Sequence, residues 1–424
     1  LNRPALWARF GVGLERVGSR KARLRIAGAI VLAPLAGLAG CNLILGNNAG
    51  ELAPGGVLGG DGGGGGGGGD GPGGNGNDAT CCAPDGNGLF DGGGGADGNP
   101  NDACGVSCQQ APCDGGACKP VSIATGQTVP FDLAVDGTNA YFTNAGNDGG
   151  TGSVAMVPLD GGTVTPLAQG LNRVSDIAID SANVYWISHD SQQATNGYGD
   201  IATVAKTGGS PAFVVQGIDD NLRRFAIYGG NYFWSLDFFA EIYEKVSNQV
   251  DPVLLASNVD VIAGMQVDST GLYAAVGGSG SAGDSVVVSV QFDGGGSVLY
   301  SYGATQTLGG LAIDGANVYY TNASDNTVDQ VAKSGNPVPP PTVIAQAQNN
   351  PSQVAVDGSF VYWTTEGTSA ASYMDGTVMK VPIGGGQVYQ LAGSQAHPRG
   401  IAVDGTNVYW TNMGDGTVMK RPKS

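Results

Sequence analysis

Histidine is almost missing from this chain. Only His189 and His397 occur in 424 residues, which largely excludes sites built from several imidazoles, whether for metal binding or for acid–base relay. Basic residues are also scarce: 19 Lys and Arg stand against 36 Asp and Glu, a formal charge of −17. Such a chain repels phosphate backbones, so nucleic acid is not an expected partner. Cysteine is absent after Cys118. No Ser-His-Asp spacing, phosphate-cradling loop or metal-ligand cluster can be read, and no cofactor or metal is expected.

What is abundant is glycine, with 75 residues, many of them between Gly55 and Gly98. That stretch, with runs such as DGGGGGGGGDG, cannot bury enough apolar surface to offset its ordering entropy and is expected to be a disordered tether. Roughly 75 residues of such coil reach about 45–50 Å root-mean-square. Upstream, Arg20, Lys21, Arg23 and Arg25 precede an apolar segment from Ile26 to Gly40. As a helix that segment is roughly 22 Å long, short of the roughly 30 Å hydrocarbon core, which favours a signal peptide over a membrane span. Its end, LAGC at Leu38 to Cys41, resembles a bacterial lipobox, and the resemblance implies lipidation of Cys41. Six cysteines remain: Cys81, Cys82, Cys104, Cys108, Cys113 and Cys118. Clustered, even in number and exported, they read as a disulfide framework of open connectivity, with zinc the rival reading. Asp and Asn in DGNGLFDGGGGADGNPND faintly suggest a calcium loop, but Ala96 stands where a bidentate Glu is required. The expected organisation is a leader over 1–41, a Gly-rich tether over 42–80, a Cys-rich segment over 81–118 and a repeat domain over 119–424.

The repeat is a hairpin. LAVDGTNAYFTN (133 to 144) returns as IAIDSANVYWIS (177 to 188), LAIDGANVYYTN (311 to 322), VAVDGSFVYWTT (354 to 365) and IAVDGTNVYWTN (401 to 412). The aspartate closing the first run recurs as Asp136, Asp180, Asp268, Asp314, Asp357 and Asp404, with Tyr228 in a degenerate copy, at spacings of 40 to 48 residues. Periods of this length with several short strands predict propeller blades. A third run (GTVMKVP, 376 to 382) and a fourth (TVTPLAQG, 163 to 170) complete each unit. The last unit lacks its fourth strand, whereas KPVSIATG (119 to 126) is a spare one. The prediction is an all-β, seven-bladed β-propeller closed by its amino-terminal strand, which leaves no open seam. The Tyr and Trp residues of the second strand are read as packing between blades.

VYWTN (408 to 412), VYYTN (318 to 322) and AYFTN (140 to 144) resemble the YWTD repeats of receptor ectodomains, and PRGIAVDGTNVYW (398 to 410) is similar to an NHL-type repeat. Asn replaces the final Asp, and seven blades are counted where the YWTD family has six. Both families imply recognition of ligands or proteins.

In a propeller, the loops entering the first strand and those joining the second and third share one face. His397 and His189 are therefore expected there. This placement resembles propeller lactonases and the streptogramin-lyase type, which use a metal or a histidine near the channel. The residue preceding each inner strand should line the channel mouth: Asp132, Asp176, Arg224, Gly264, Gly310, Gln353 and Gly400, with Arg399 beside the last. The three glycines are expected to leave room there, and Asp132, Asp176, Arg224, Gln353 and Arg399 to supply convergent polar groups. The sequence thus favours a monomeric, lipid-anchored, non-catalytic module of the cell envelope, at the outer membrane or cell surface. It would bind protein, peptide or glycan and touch the membrane only through its anchor. A metal-assisted lyase or lactonase of the streptogramin-lyase or gluconolactonase kind is the alternative.

Overall fold

The computed structural model describes residues 119–146, 151–189, 199–218, 222–237, 241–247, 249–257, 261–277, 285–303, 305–334 and 339–424. Cys41, the tether and the six further cysteines lie outside these residues, and so do the leader and the Cys-rich segment.

The repeated hairpins fold as seven four-stranded antiparallel sheets. Six take consecutive strands, spanning 130–171 (blade 1), 177–218 (blade 2), 222–257 (blade 3), 261–301 (blade 4), 308–345 (blade 5) and 351–395 (blade 6). Blade 7 takes three strands from 398–422 and borrows Val121–Ala124, which pairs antiparallel with the last strand through Val121↔Lys420 and Ala124↔Val418. The closure expected from the spare strand is present.

Period-two alternation places successive side chains on opposite sheet faces, and each face meets a different neighbour. Ile401 and Val403 join the cluster between blades 6 and 7, while Ala402 faces the cluster between blades 7 and 1. Seven apolar clusters result, each spanning the seam between two adjacent blades. Trp186, Trp234, Trp363 and Trp410 are fully buried in them, each contributing on the order of 1.5–3 kcal/mol. Two of the indoles are anchored too: Trp363 Nε1 donates to Gln348 Oε1 (3.0 Å) and Trp410 Nε1 to Gln395 Oε1 (2.9 Å), whereas the buried Trp186 Nε1 has no partner. The aromatics are packing, as the repeat implied.

Two local devices recur. At the hairpin turn, Asp404 Oδ1 accepts the backbone N–H groups of Thr406 (2.7 Å) and Asn407 (2.6 Å), and its Oδ2 accepts the Tyr409 hydroxyl (2.7 Å). Asp136–Tyr141, Asp180–Tyr185, Asp314–Tyr319 and Asp357–Tyr362 repeat this pin. Burial pushes the Asp404 carboxyl up, but these donors outweigh it and hold the pKa below the usual carboxylate range. The second device is a bulge in every outer strand. It skips Ile123, Leu167, Val214, Leu255, Leu299, Ile344 and Leu391 in the pairing, so that this residue and the next both turn toward the seam.

Candidate functional site

The inner strands carry bulges of their own, and these build the site. Pairing is interrupted between Pro130 and Leu133, between Leu222 and Phe225, between Pro351 and Val354, and between Pro398 and Ile401. Asp132, Arg224, Gln353 and Arg399 fall in these interruptions, which re-aim side chains away from the sheet. Together with Asp176 and Phe131 they line a cavity of about 150 Å³ at the channel mouth. All five polar residues expected at the mouth are brought together there.

Their contacts cross from blade to blade. Arg224 of blade 3 donates from Nη1 to Asp176 Oδ1 of blade 2 (2.6 Å) and from Nε to the Ala263 carbonyl of blade 4 (2.7 Å). Asp132 of blade 1 accepts Leu133 N–H at Oδ1 (2.9 Å) and Ile177 N–H of blade 2 at Oδ2 (3.2 Å). Each oxygen therefore keeps a lone pair for the cavity. Burial, reinforced by the negative charge of Asp176, raises the Asp132 pKa to about 6 against the pull of those donors and of Arg224. Burial would lower the pKa of Arg224, but Asp176 dominates and raises it. Arg399 lies 4.6 Å from the centre of the Phe131 ring and donates from Nη1 to Glu366 Oε1 (2.7 Å), while its buried Nε has no hydrogen-bond partner.

Both histidines sit on the face expected for them, and neither lines the cavity. His397 stacks on Tyr373 (4.8 Å between centroids, 17°), with Nε2 3.5 Å from Glu366 Oε2. His189 ends the second strand of blade 2, where burial, followed by the charge of Arg173, lowers its pKa against the opposing effect of Asp176. Glu366 was not picked out from the sequence, yet it joins the rim to the mouth. It accepts from Ser352 Oγ (3.0 Å) and Asn350 Nδ2 (2.9 Å) as well as Arg399. Burial pushes its pKa up, but His397 and Arg399 outweigh this and hold it low.

The glycines do not leave room. A Cβ on Gly264 would stand 2.7 Å from the Gly309 carbonyl oxygen, and one on Gly400 would stand 2.8 Å from Asp132 Cα. They are glycines because neighbouring inner strands touch there. A divalent cation does not fit the mouth either. Its two carboxylates share the space with two guanidiniums, and among the described residues no three His, Cys, Asp or Glu side chains converge.

No protein-family model matches the chain, and no curated protein matches it. Among solved structures it is similar to virginiamycin B lyase from Staphylococcus aureus, at 12% identity over 72% of this chain and 99% of that chain, with a TM-score of 0.56. A catalytically inactive histidine-to-alanine variant of that lyase, with quinupristin, matches at 12% identity over the same shares, with a TM-score of 0.55. These likenesses carry the seven-bladed fold. They also correct two expectations. The resemblance to YWTD and NHL repeats is not upheld: no family model recognises the motif, and the matched fold is that of the lyase. In this chain the motif residues pin and pack blades, which explains why they resemble another family's repeat without belonging to it. The same comparison goes against the preference for a non-catalytic binding module, since the two structures described, which share the fold, are those of a lyase.

Proposed function

We propose that the chain is a propeller enzyme of the lyase or lactonase kind, acting on a carbonyl compound such as a cyclic ester at the channel mouth. The observation that carries this reading is Asp132: a half-buried carboxylate whose oxygens each accept one backbone N–H, poised near pH 6, opposite two guanidiniums. A base with that pKa is mostly ionised at neutral pH and still basic enough to take a proton from substrate carbon or from water. Arg399 lines the same cavity, and its guanidinium charge is suited to a carbonyl oxygen as that oxygen gains charge. Glu366 orients Arg399 and couples it to His397, so that the rim histidine positions the mouth without touching it. The alternative with a bound metal finds no support in the donor set.

The test is turnover of a panel of lactones and cyclic depsipeptides by wild type and Asp132→Asn. Loss of a general base costs on the order of 10²–10⁴ in rate. A folded Asp132→Asn protein that is at least a hundredfold slower would sustain the proposal. A wild type that turns over nothing in the panel, or a variant that keeps the full rate, would overturn it.

A further inference from the structure

Five of the seven outer strands bury both residues of the bulged pair at the seam, Ile123–Ala124, Leu167–Ala168, Leu255–Ala256, Ile344–Ala345 and Leu391–Ala392, and a sixth buries Leu299 beside a half-buried Tyr300. Five of these pairs have one shape, a branched residue followed by alanine. The small second residue lets the next blade approach closely.

Blade 2 breaks the pattern. Its pair is Val214–Val215, and both residues are only half-buried. Beside it, Phe213 is 56% exposed and Val250, across the gap on blade 3, is 89% exposed. The inner part of this seam is packed normally around Ile187, Phe225 and Trp234. The outer part opens into a cavity of about 770 Å³, within the size range of small-molecule sites. Its floor is the half-buried ring of Tyr243, backed by the buried Trp234 ring parallel to it, with centroids 5.7 Å apart and planes at 13°. The opposite wall is the valine pair. Parallel rings facing branched aliphatics make a slot for a flat apolar group.

Charge selects further. Lys245 lines the slot, donates to the Val214 carbonyl (2.7 Å), and has no carboxylate partner among the described residues. Its ammonium keeps two hydrogens for a ligand. The other charged lining residue, Glu241, is four residues away on the same strand and accepts the Tyr243 hydroxyl (2.7 Å).

We propose that the seam between blades 2 and 3 is a lateral binding site, separate from the channel mouth, for a flat apolar molecule bearing one negative group, whose ring lies on Tyr243 and whose anion meets Lys245. The unpartnered cation and the ring floor together favour this occupant over an uncharged aliphatic chain. The site does not depend on the chemistry at the mouth.

The experiment is a fluorescence titration of the full chain with 8-anilinonaphthalene-1-sulfonate, an aromatic monoanion. Saturable binding of one equivalent is expected. Val214→Leu with Val215→Ala, which restores the pair used by the sealed blades, should weaken binding at least tenfold. Val215→Trp, which plugs the slot directly, should do the same and guards against misfolding of the first variant. Lys245→Met should weaken binding about fivefold at low salt and abolish its salt dependence. If both sealing variants hold their circular dichroism and melting transition yet bind the probe as tightly as wild type, the site is not in this seam and the proposal fails. It fails equally if the probe does not bind wild type at all.

Discussion

Blades 5 to 7 and blades 1 to 4 close the same inner ring with different chemistry. In the first group a threonine does the work. Thr321 Oγ1 donates to the Ser352 carbonyl (2.7 Å), Thr364 Oγ1 to the Arg399 carbonyl (2.8 Å) and Thr411 Oγ1 to the Phe131 carbonyl (3.0 Å), each reaching into the next blade. In the second group the corresponding positions are Thr143, Ile187, Ser235 and Ala275; Ile187 and Ala275 offer no hydroxyl, while those of Thr143 and Ser235 bond to the backbone of Asp132 and Arg224 within their own blades. There, Asp132, Asp176 and Arg224 span the seams instead. Between blades 5 and 6 the hydroxyl closes the seam with no ion pair across it among the described residues, so closure does not in itself require buried charge. Desolvating those charges is costly, and such groups concentrate where a site needs them. The charges gathered at Asp132, Asp176 and Arg224, facing Arg399 across the mouth, thus point to function there.

The comparison can be broken most severely at Arg224. Arg224→Met leaves Asp176 buried without its partner and should destabilise the fold by about 3–5 kcal/mol in denaturant unfolding, whereas adding Asp176→Leu should restore much of the loss. If the single variant unfolds like wild type, the charged latch carries nothing.

A second test sharpens it through pH. Asp132 binds its proton more tightly folded than unfolded, so this group favours the folded state at low pH, and that contribution is lost as pH rises from about 4 through about 6. Activity should move the opposite way, rising through a midpoint near pH 6 as the base ionises. Carboxyl-carbon NMR of Asp132 locates the midpoint independently. Removing the lowering influence of Arg224 should shift it upward; a midpoint near 4 would show that the carboxylate is not poised as described.

The hydroxyl side should prove gentler. Thr411→Val strips partners from the Gly400 N–H and the Phe131 carbonyl and is expected to cost about 1–2 kcal/mol. Thr321→Val, far from Asp132, should lose a similar amount and leave turnover as it was. Smallest of all is Lys206→Met, which removes a partly exposed ion pair with Asp136 and should change stability by at most about 1 kcal/mol, less at high salt. A larger loss would mean that the turn face, not the mouth, holds the ring.

How much of this could be read beforehand follows from the same physics. The hairpin period and the orphan strand at 119–126 fixed seven closed blades, because apolar alternation and turn chemistry are local signals. Asp132, Asp176, Arg224, Gln353 and Arg399 were legible because they stand at or beside one position of the repeat, ahead of the apolar run, although all but Asp176 lie at bulges within the inner strand rather than before it. Glu366 was not, since it follows the WTT run in a loop without motif and acquires meaning only by meeting Arg399 and His397 in space. For the histidines, loop membership gave the face but no depth. The Asp–Tyr pin was recoverable from a fixed spacing of five, seen at Asp136–Tyr141 and again at Asp404–Tyr409, which marks a tie where only a counting mark was noticed. The open seam at Val214–Val215 differs from its siblings by a few methyl groups, too little for pattern alone to flag.

The pairing of Val121 with Lys420 makes the first strand of the domain wait for the last. During synthesis, blades 1 to 6 can each collect their four strands as they leave the ribosome, but the circle stays unlocked until almost the final residues emerge. Until that moment the chain is a curved stack with two bare ends, and its lifetime in that state sets its exposure to neighbours doing the same.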